Sequence, residues 1–273
     1  MIDLHSHILS GVDDGAETLA MSIAMARLAV DDGVTVMACT PHIVPGLYMN
    51  HPREIARRVA ELSAVLEDEQ IPLRLIVGAD VHIAPGLLDQ LSGNAPPTLN
   101  RSRYFLLEPS LDVLPPRFVE FCGGLIAAGF VPIITHPERL AWVAGHYGVI
   151  RELAESGILM QLTAGSLTGD FGRSARVLAE RMLDEGFCDI IASDAHGVAS
   201  RRPGLSKARA IVAERLGEQE AENVVLVRPR VILENGVVER PSRFGGARDV
   251  AWQAAGHGGD APFRSLVKRM TGA

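Results

Sequence analysis

Short uninterrupted apolar runs alternate along this chain with stretches in which apolar residues recur every three or four positions. Continuous runs of four to eight residues suit buried strands, and the 3.6-residue period suits amphipathic helices. Met1 to Leu4 opens a first strand. Thr18 to Val30, with Leu19, Ile23, Ala26 and Val30 on one face, predicts a helix that stops at Asp-Asp-Gly33. Strands are predicted over Val34–Thr40, Leu73–Val77, Tyr104–Leu107, Val131–Thr135, Ile158–Leu162 and Cys188–Ala192. Helices are predicted over Pro52–Glu67, Phe118–Ala128 and Ser174–Glu185, the first carrying proline in its opening turn. The count is seven strand-then-helix repeats, an α/β pattern with parallel strands.

Composition narrows the class. The chain has 273 residues, 47% apolar and 22% charged, with a net charge of -7, which argues against a nucleic-acid-binding surface. Three well-separated cysteines, Cys39, Cys122 and Cys188, make neither a disulfide framework nor a CxxC zinc site and suit a reducing compartment. No basic-then-apolar leader precedes Asp3. The longest uncharged run, Phe121 to Thr135, is broken by glycines and a proline and is too short for a bilayer. A cytoplasmic protein without membrane insertion is expected. The stretch from Pro241 onward, rich in Gly and Arg, reads as a mobile tail appended to a domain of residues 1–240.

The chemistry lies at the strand ends. His5 with His7, then His42, Asp80, Glu108, His136, and Asp194 with His196 each fall at or just past the carboxyl end of a predicted strand, and Asp14 follows on a glycine-flanked turn. His51, His82, His146 and His257 fit this pattern less well. In closed β/α barrels that face is a common rim carrying the active site. No dinucleotide fingerprint or Walker loop points instead to an open doubly wound sheet. Nine nitrogen and oxygen ligands are too many for one ion and fit two or three divalent cations. Mixed imidazole and carboxylate ligation suits zinc, manganese or iron. Such clusters lower the pKa of bound water and clamp the oxygens of an in-line phosphoryl displacement. Arg139 and Arg201 supply guanidinium forks for a phosphate. Cysteine-based phosphatase chemistry needs an arginine six residues after the nucleophile, where this chain has Pro45, Ala128 and Asp194.

These segments carry a resemblance. Ile-Asp-Leu-His5-Ser-His7-Ile-Leu, Asp-Asp14-Gly-Ala, Thr40-Pro-His42, Leu107-Glu108, His136-Pro-Glu-Arg139, Gly165-Ser-Leu-Thr-Gly169 and Ser193-Asp-Ala-His196 occur in order over residues 1–240. The chain resembles PHP-domain (polymerase and histidinol phosphatase) metallohydrolases. Within them it is most similar to the manganese-dependent protein tyrosine phosphatases of bacterial capsule and exopolysaccharide operons.

The resemblance implies a distorted, TIM-barrel-like (β/α)7 fold with three metal ions, Mn2+ foremost. His5, His7 and Asp194 would hold one ion, bridged by a carboxylate to a second completed by Glu108 and His136. Asp14, His42 and His196 would hold a third. Arg139 and Arg201 would contact the phosphate, with His42 or His196 assisting the leaving group. The substrate implied is an autophosphorylated bacterial tyrosine kinase. The bridging residue is Glu in the family and Asp80 here, one methylene shorter, with His82 two residues on as a compensating ligand. Two other readings are histidinol phosphate or another small phosphoester as substrate, and a catalytically weak metal-stabilised regulatory module.

Overall fold

The computed structural model describes residues 1–93 and 97–240; the expected Gly/Arg-rich tail lies outside the described residues. In chain order the elements are β1 (Ile2–Asp3), α1 (Leu19–Asp31), β2 (Val36–Cys39), β3 (His42–Val44), β4 (Tyr48–Met49), α2 (Pro52–Asp68), β5 (Arg74–Val77) and β6 (Asp80–His82). There follow α3 (Leu87–Leu91), β7 (Tyr104–Glu108), α4 (Phe118–Ala127), β8 (Val131–Thr135), α5 (Tyr147–Glu155), β9 (Leu159–Thr163), α6 (Ala164–Thr168) and α7 (Gly172–Asp184). The chain closes with β10 (Ile190–Ala192), α8 (Ser206–Leu216), α9 (Glu218–Glu222) and α10 (Arg228–Leu233). Every predicted helix and strand has its counterpart here, to within a few residues at the ends. Thr18 caps α1, its Oγ1 accepting the Met21 N–H at 3.3 Å. Helices α3, α5, α6 and α8 to α10 are additions. Helix α8 buries only Ala208 and Val212, so small residues hide its period.

The strands form two sheets rather than one. The first has the order β1-β2-β5, the second β10-β9-β8-β7-β6-β3-β4, and pairing is parallel except for the β3–β4 hairpin. This departs from the single seven-stranded count. One predicted strand, Val34–Thr40, stops in the first sheet and the chain resumes in the second as β3, because Pro41 has no N–H for a ladder. The next strand breaks likewise at Gly78-Ala79, after which the Asp80 N–H donates to Pro41 O at 3.1 Å and starts β6. The sheets also meet at their other margin. Ser6 and Ala195 form a parallel bridge, Asp194 N–H donates to His5 O at 2.9 Å, and His7 N–H donates to Ala195 O at 2.8 Å.

Side chains alternate across a strand, and two cores result. The larger lies between the strands and the outer helices. The smaller takes Ile2, Leu4, Ala38, Ile76, Leu106, Ile133, Leu159 and Ile190 from β1 and its continuation, β2, β5, β7, β8, β9 and β10, and Ile232 of α10 packs onto it. These residues sit below the strand ends, so the polar site rests on a packed apolar floor.

The C-terminal arm is strapped to the opposite ends of the strands by buried ion pairs. Arg228 bonds both Glu220 oxygens, at 2.8 and 3.0 Å, and donates to the carbonyls of Cys188 and Asp189. Arg240 grips both carboxylate oxygens of the buried Asp189, at 2.6 Å each, and donates to the carbonyls of Ala154 and Ile158. Breaking a buried pair from one side leaves an uncompensated charge. Arg240→Ala is therefore expected to cost about 3 kcal/mol. In urea denaturation this appears as a lower midpoint with an unchanged slope.

Candidate metal centre

All the candidate ligand side chains but Asp14, which lies on the loop between β1 and α1, are delivered at or near the end of a strand. His5 and His7 lie on the extended chain after β1, His42 and Asp80 open β3 and β6, and Glu108 closes β7. His136 follows β8, and Asp194 and His196 follow β10. His136, Asp194 and Arg201 have φ of 37°, 51° and 47°, in the left-handed region. Such backbone is costly for residues with a Cβ and persists where the surroundings impose it. Here the Asp194 N–H is held by His5 O, the His196 N–H by Arg201 O at 2.9 Å, and the Arg139 N–H by His136 O at 2.9 Å.

All nine expected ligands converge. His5, His7 and Asp80 are fully buried, and the largely buried His196 lies with His42 beside the half-exposed Asp14. Three sets have ligand atoms within 4.8 Å of one another: His7, Asp14, His42 and His196; His5, His7 and Asp80; His42, Asp80 and Glu108. Asp194 Oδ1 lies 3.3 and 3.4 Å from the Nε2 atoms of His5 and His7, and His136 Nε2 lies 3.4 Å from Glu108 Oε1. The grouping differs from the expected one in that His7 and His42 each serve two sets. Asp80 stands between sets as a bridge would, its Oδ2 at 3.5 Å from His5 Nε2 and 3.4 Å from His42 Nδ1. His82, the residue expected to compensate for the shorter Asp80, faces Glu108 at 3.5 Å.

The donors fit divalent cations. His5 Nδ1–H donates to Gln161 Oε1 and His7 Nδ1–H donates to Asp13 Oδ2, both at 2.7 Å. Each Nε2 therefore presents a lone pair, and the two Nε2 atoms face each other at 3.1 Å. A shared proton or a bound cation is needed between them, and a divalent ion would take both lone pairs as ligands. Asp80 Oδ1 and Oδ2, His42 Nδ1, His136 Nδ1 and His196 Nε2 are also buried with no hydrogen-bond partner, where buried polar atoms are ordinarily paired. The carboxylates meanwhile distort the titration of their neighbours. Burial opposes a charged His7, yet Asp13 and Asp194 push its pKa up to about 10. Burial, helped by the neighbouring His7 and His136 and opposed by Asp194 and Asp80, carries His5 the other way, down to about 4. Glu108, although buried, is held well below the carboxylate range by His136 and His82.

The arginines behave as a pair. Arg139 Nη1 and Arg201 Nη2 both bond Asp194 Oδ2, the latter at 2.7 Å, while Asp194 Oδ1 faces the histidines. Asp194 thus joins the ligand cluster to the cationic rim. The Arg139 guanidinium lies over the Phe171 ring, 4.1 Å from its centroid. Three positioning residues escaped the sequence reading. Gln161 is a fully buried amide inside β9, and a polar residue amid Leu159, Met160 and Leu162 was its signal. Asp13 orients His7 and also accepts the His42 N–H at 3.1 Å, a supporting role that its place on the same turn as Asp14 does not reveal. Glu138, also buried, accepts the Thr163 N–H at 2.9 Å and ties the Arg139 turn to β9.

With this geometry in view, the comparisons agree. The model of the family described as capsular polysaccharide synthesis, CpsB/CapC, matches residues 1–234. The chain belongs to the CpsB/CapC family. It is 32% identical over 240 residues to the tyrosine-protein phosphatase YwqE of Bacillus subtilis, covering 88% of this chain and 94% of that protein. It is 27% identical over 243 residues to the tyrosine-protein phosphatase CpsB of Streptococcus pneumoniae, covering 87% of this chain and 100% of that protein. Among the crystal structures of YwqE and CpsB, described as unique metal-dependent tyrosine phosphatases, one superposes with a TM-score of 0.84 at 32% identity, covering 88% of this chain and 97% of that chain. The branch drawn from the motifs is thus the branch matched. Among the described residues of this CpsB/CapC chain, no helix is long and apolar enough to cross a membrane.

Two substitutions test the support of the centre. Gln161→Leu frees His5 Nδ1 and is expected to lower manganese affinity roughly 10- to 100-fold, read by calorimetric titration. Gly15→Ala would bring a Cβ within 2.2 Å of His7 O and 2.4 Å of His7 Cβ. The Asp13–Asp14 turn must then shift, with a comparable loss in the same titration.

Proposed function

We propose that this chain is a metal-dependent protein-tyrosine phosphatase of residues 1–240. Its substrate is phosphotyrosine on an autophosphorylated bacterial tyrosine kinase governing capsule or exopolysaccharide assembly, in the cytoplasm. The observation that carries this is the junction at Asp194, whose one oxygen faces a cation-demanding cluster while the other holds two guanidinium groups. The metal ligands assigned are His5, His7, Asp14, His42, Asp80, Glu108, His136, Asp194 and His196, for two or three ions, Mn2+ first and Zn2+ or Fe as variants. The fold assigned is a distorted (β/α)7 barrel. Counting β2 with β3 and β5 with β6 as interrupted strands supports it, as do the Ser6–Ala195 bridge and the inner core drawn from every strand.

Bound divalent ions supply water activation and neutralise the charge that spreads over a transferring phosphoryl group. The chain's residues do the rest. Arg139 and Arg201 match phosphoryl oxygens with forked N–H groups, and Asp194 keeps both at the edge of the cluster. Phe171 supports Arg139 from behind. The leaving phenol has a pKa of ~10, so it needs only weak proton assistance, assigned to His42 or His196 beside Asp14. A phosphocysteine route is unsupported. Cys39, Cys122 and Cys188 are buried, and burial pushes all three thiols well above their usual range.

The test is phosphate release by manganese-loaded protein from a tyrosine-phosphorylated peptide and from histidinol phosphate, side by side. Preference for the peptide, abolished by EDTA and by His136→Ala but spared by thiol alkylation, is expected. Preference for histidinol phosphate would move the chain to small-molecule chemistry. Silence on both substrates with metal bound would make it a regulatory module. Loss of activity on alkylation alone would overturn the metal-based assignment.

A further inference from the structure

The β3–β4 hairpin carries an aromatic ring at the mouth of the centre. The Tyr48 ring stacks on the His42 imidazole, with centroids 5.7 Å apart and planes at 14°. His42 in turn faces Asp14 on one side and Asp80 and Glu108 on the other. The inner side of the cluster is closed by the fully buried His5, His7 and Asp80, whereas Asp14 keeps 48% of its side chain exposed. A phosphoester bound at the cluster must therefore direct its leaving group outward, past the half-buried Tyr48. The other aromatic ring at the rim, Phe171, is already covered by the Arg139 guanidinium.

The hairpin is built to hold that ring still. The Leu47 N–H donates to Val44 O at 3.0 Å, closing a four-residue turn with Pro45 second and Gly46 third. Gly46 has φ of 84°, the positive value that the third position of a type II turn requires. Asn50 then pins the hairpin base, its Nδ2 donating to His42 O at 2.8 Å and to Val12 O at 3.0 Å. On either side of Tyr48 this ordered turn displays Leu47 and Met49, 67% and 64% exposed. Adjacent large apolar side chains held in water beside a reaction centre mark a contact surface.

We propose that Tyr48 selects aryl over alkyl phosphoesters. Its ring is the wall against which the phenyl ring of phosphotyrosine lies, and Leu47 and Met49 cover apolar side chains flanking that phosphotyrosine in the substrate polypeptide. The inference rests on the phosphatase reading and names the residues that give the site its substrate class. Offset-stacked aromatic pairs are favoured beyond the area they bury, an advantage that an alkyl phosphate cannot use.

The experiment compares kcat/KM for p-nitrophenyl phosphate, a phosphotyrosine peptide and glycerol 2-phosphate in the manganese-loaded full chain. Tyr48→Leu, which keeps bulk without a π face, is expected to lower the aryl-to-alkyl ratio about tenfold, the equivalent of about 1.4 kcal/mol. Tyr48→Phe is expected to restore it. Leu47→Ser with Met49→Ser is expected to raise KM more for the peptide than for p-nitrophenyl phosphate. A ratio unchanged in Tyr48→Leu, or equal losses on aryl and alkyl substrates, would overturn the proposal while leaving the phosphatase reading intact. No release from any phosphoester by the unmodified chain would overturn that reading instead.

Discussion

Two imidazole lone pairs pointed at each other across 3.1 Å are the constraint on which the rest of the site depends. Neither ring can turn away. Gln161 holds the outer nitrogen of His5 and Asp13 that of His7, so each ring presents its second nitrogen, a lone-pair acceptor, to the same space. Two acceptors in a dry interior repel unless a cation or a proton stands between them. Without metal, the surrounding carboxylates draw a proton onto His7, which is why its pKa climbs although burial opposes the charge. A proton shared between them answers these two nitrogens alone. A divalent ion answers both, together with the unpartnered oxygens of Asp80 and the free nitrogens of His42, His136 and His196.

That demand explains where the backbone is strained. His136, Asp194 and Arg201 occupy left-handed conformations without being glycine. Arg201 lies further along the loop after β10, whereas His136 and Asp194 follow strand ends, where an extended continuation would carry the side chain away from the cluster. The left-handed step folds it back. Hydrogen bonds from the neighbouring chain hold these steps in place, Asp194 on His5 and His196 on Arg201. The same Asp194 N–H helps to join the margins of the two sheets, so the fold's seam and one of the site's left-handed residues are one structure.

Strand ends were the most legible part of the sequence. A strand that is buried on both faces leaves its period-free apolar run intact, and the polar residue that ends it stands out, as with Thr135-His136 or Ala192-Ser193-Asp194. Eight of the nine ligand candidates were visible for that reason, and Asp14 was visible from its glycine-flanked turn. Residues acting through another side chain were not. Asp13 looks like any turn aspartate, and its role depends on Gly15 letting the turn pass under His7. Glu138 sits between two recognisable site residues, yet its contact is to a backbone N–H on another strand. The split of the sheet was hidden too, because Pro41 reads equally as a strand end and as a break within a longer path.

The aspartate at position 80 shows how register can replace reach. A glutamate there would extend one methylene further. In this chain the backbone brings the shorter side chain close to its neighbours. His42 and Asp80 are direct partners in the parallel β3–β6 pairing, and the Asp80 N–H is drawn to Pro41 O. The break at Pro41 therefore does more than end a strand. It starts a new pairing at the two residues that must meet, bringing Asp80 Oδ2 within 3.4 Å of His42 and 3.5 Å of His5. His82, one alternation further along β6, is left to face Glu108 at 3.5 Å. A bridge set by strand register depends on the pairing of main chains, which a side-chain rotamer cannot undo.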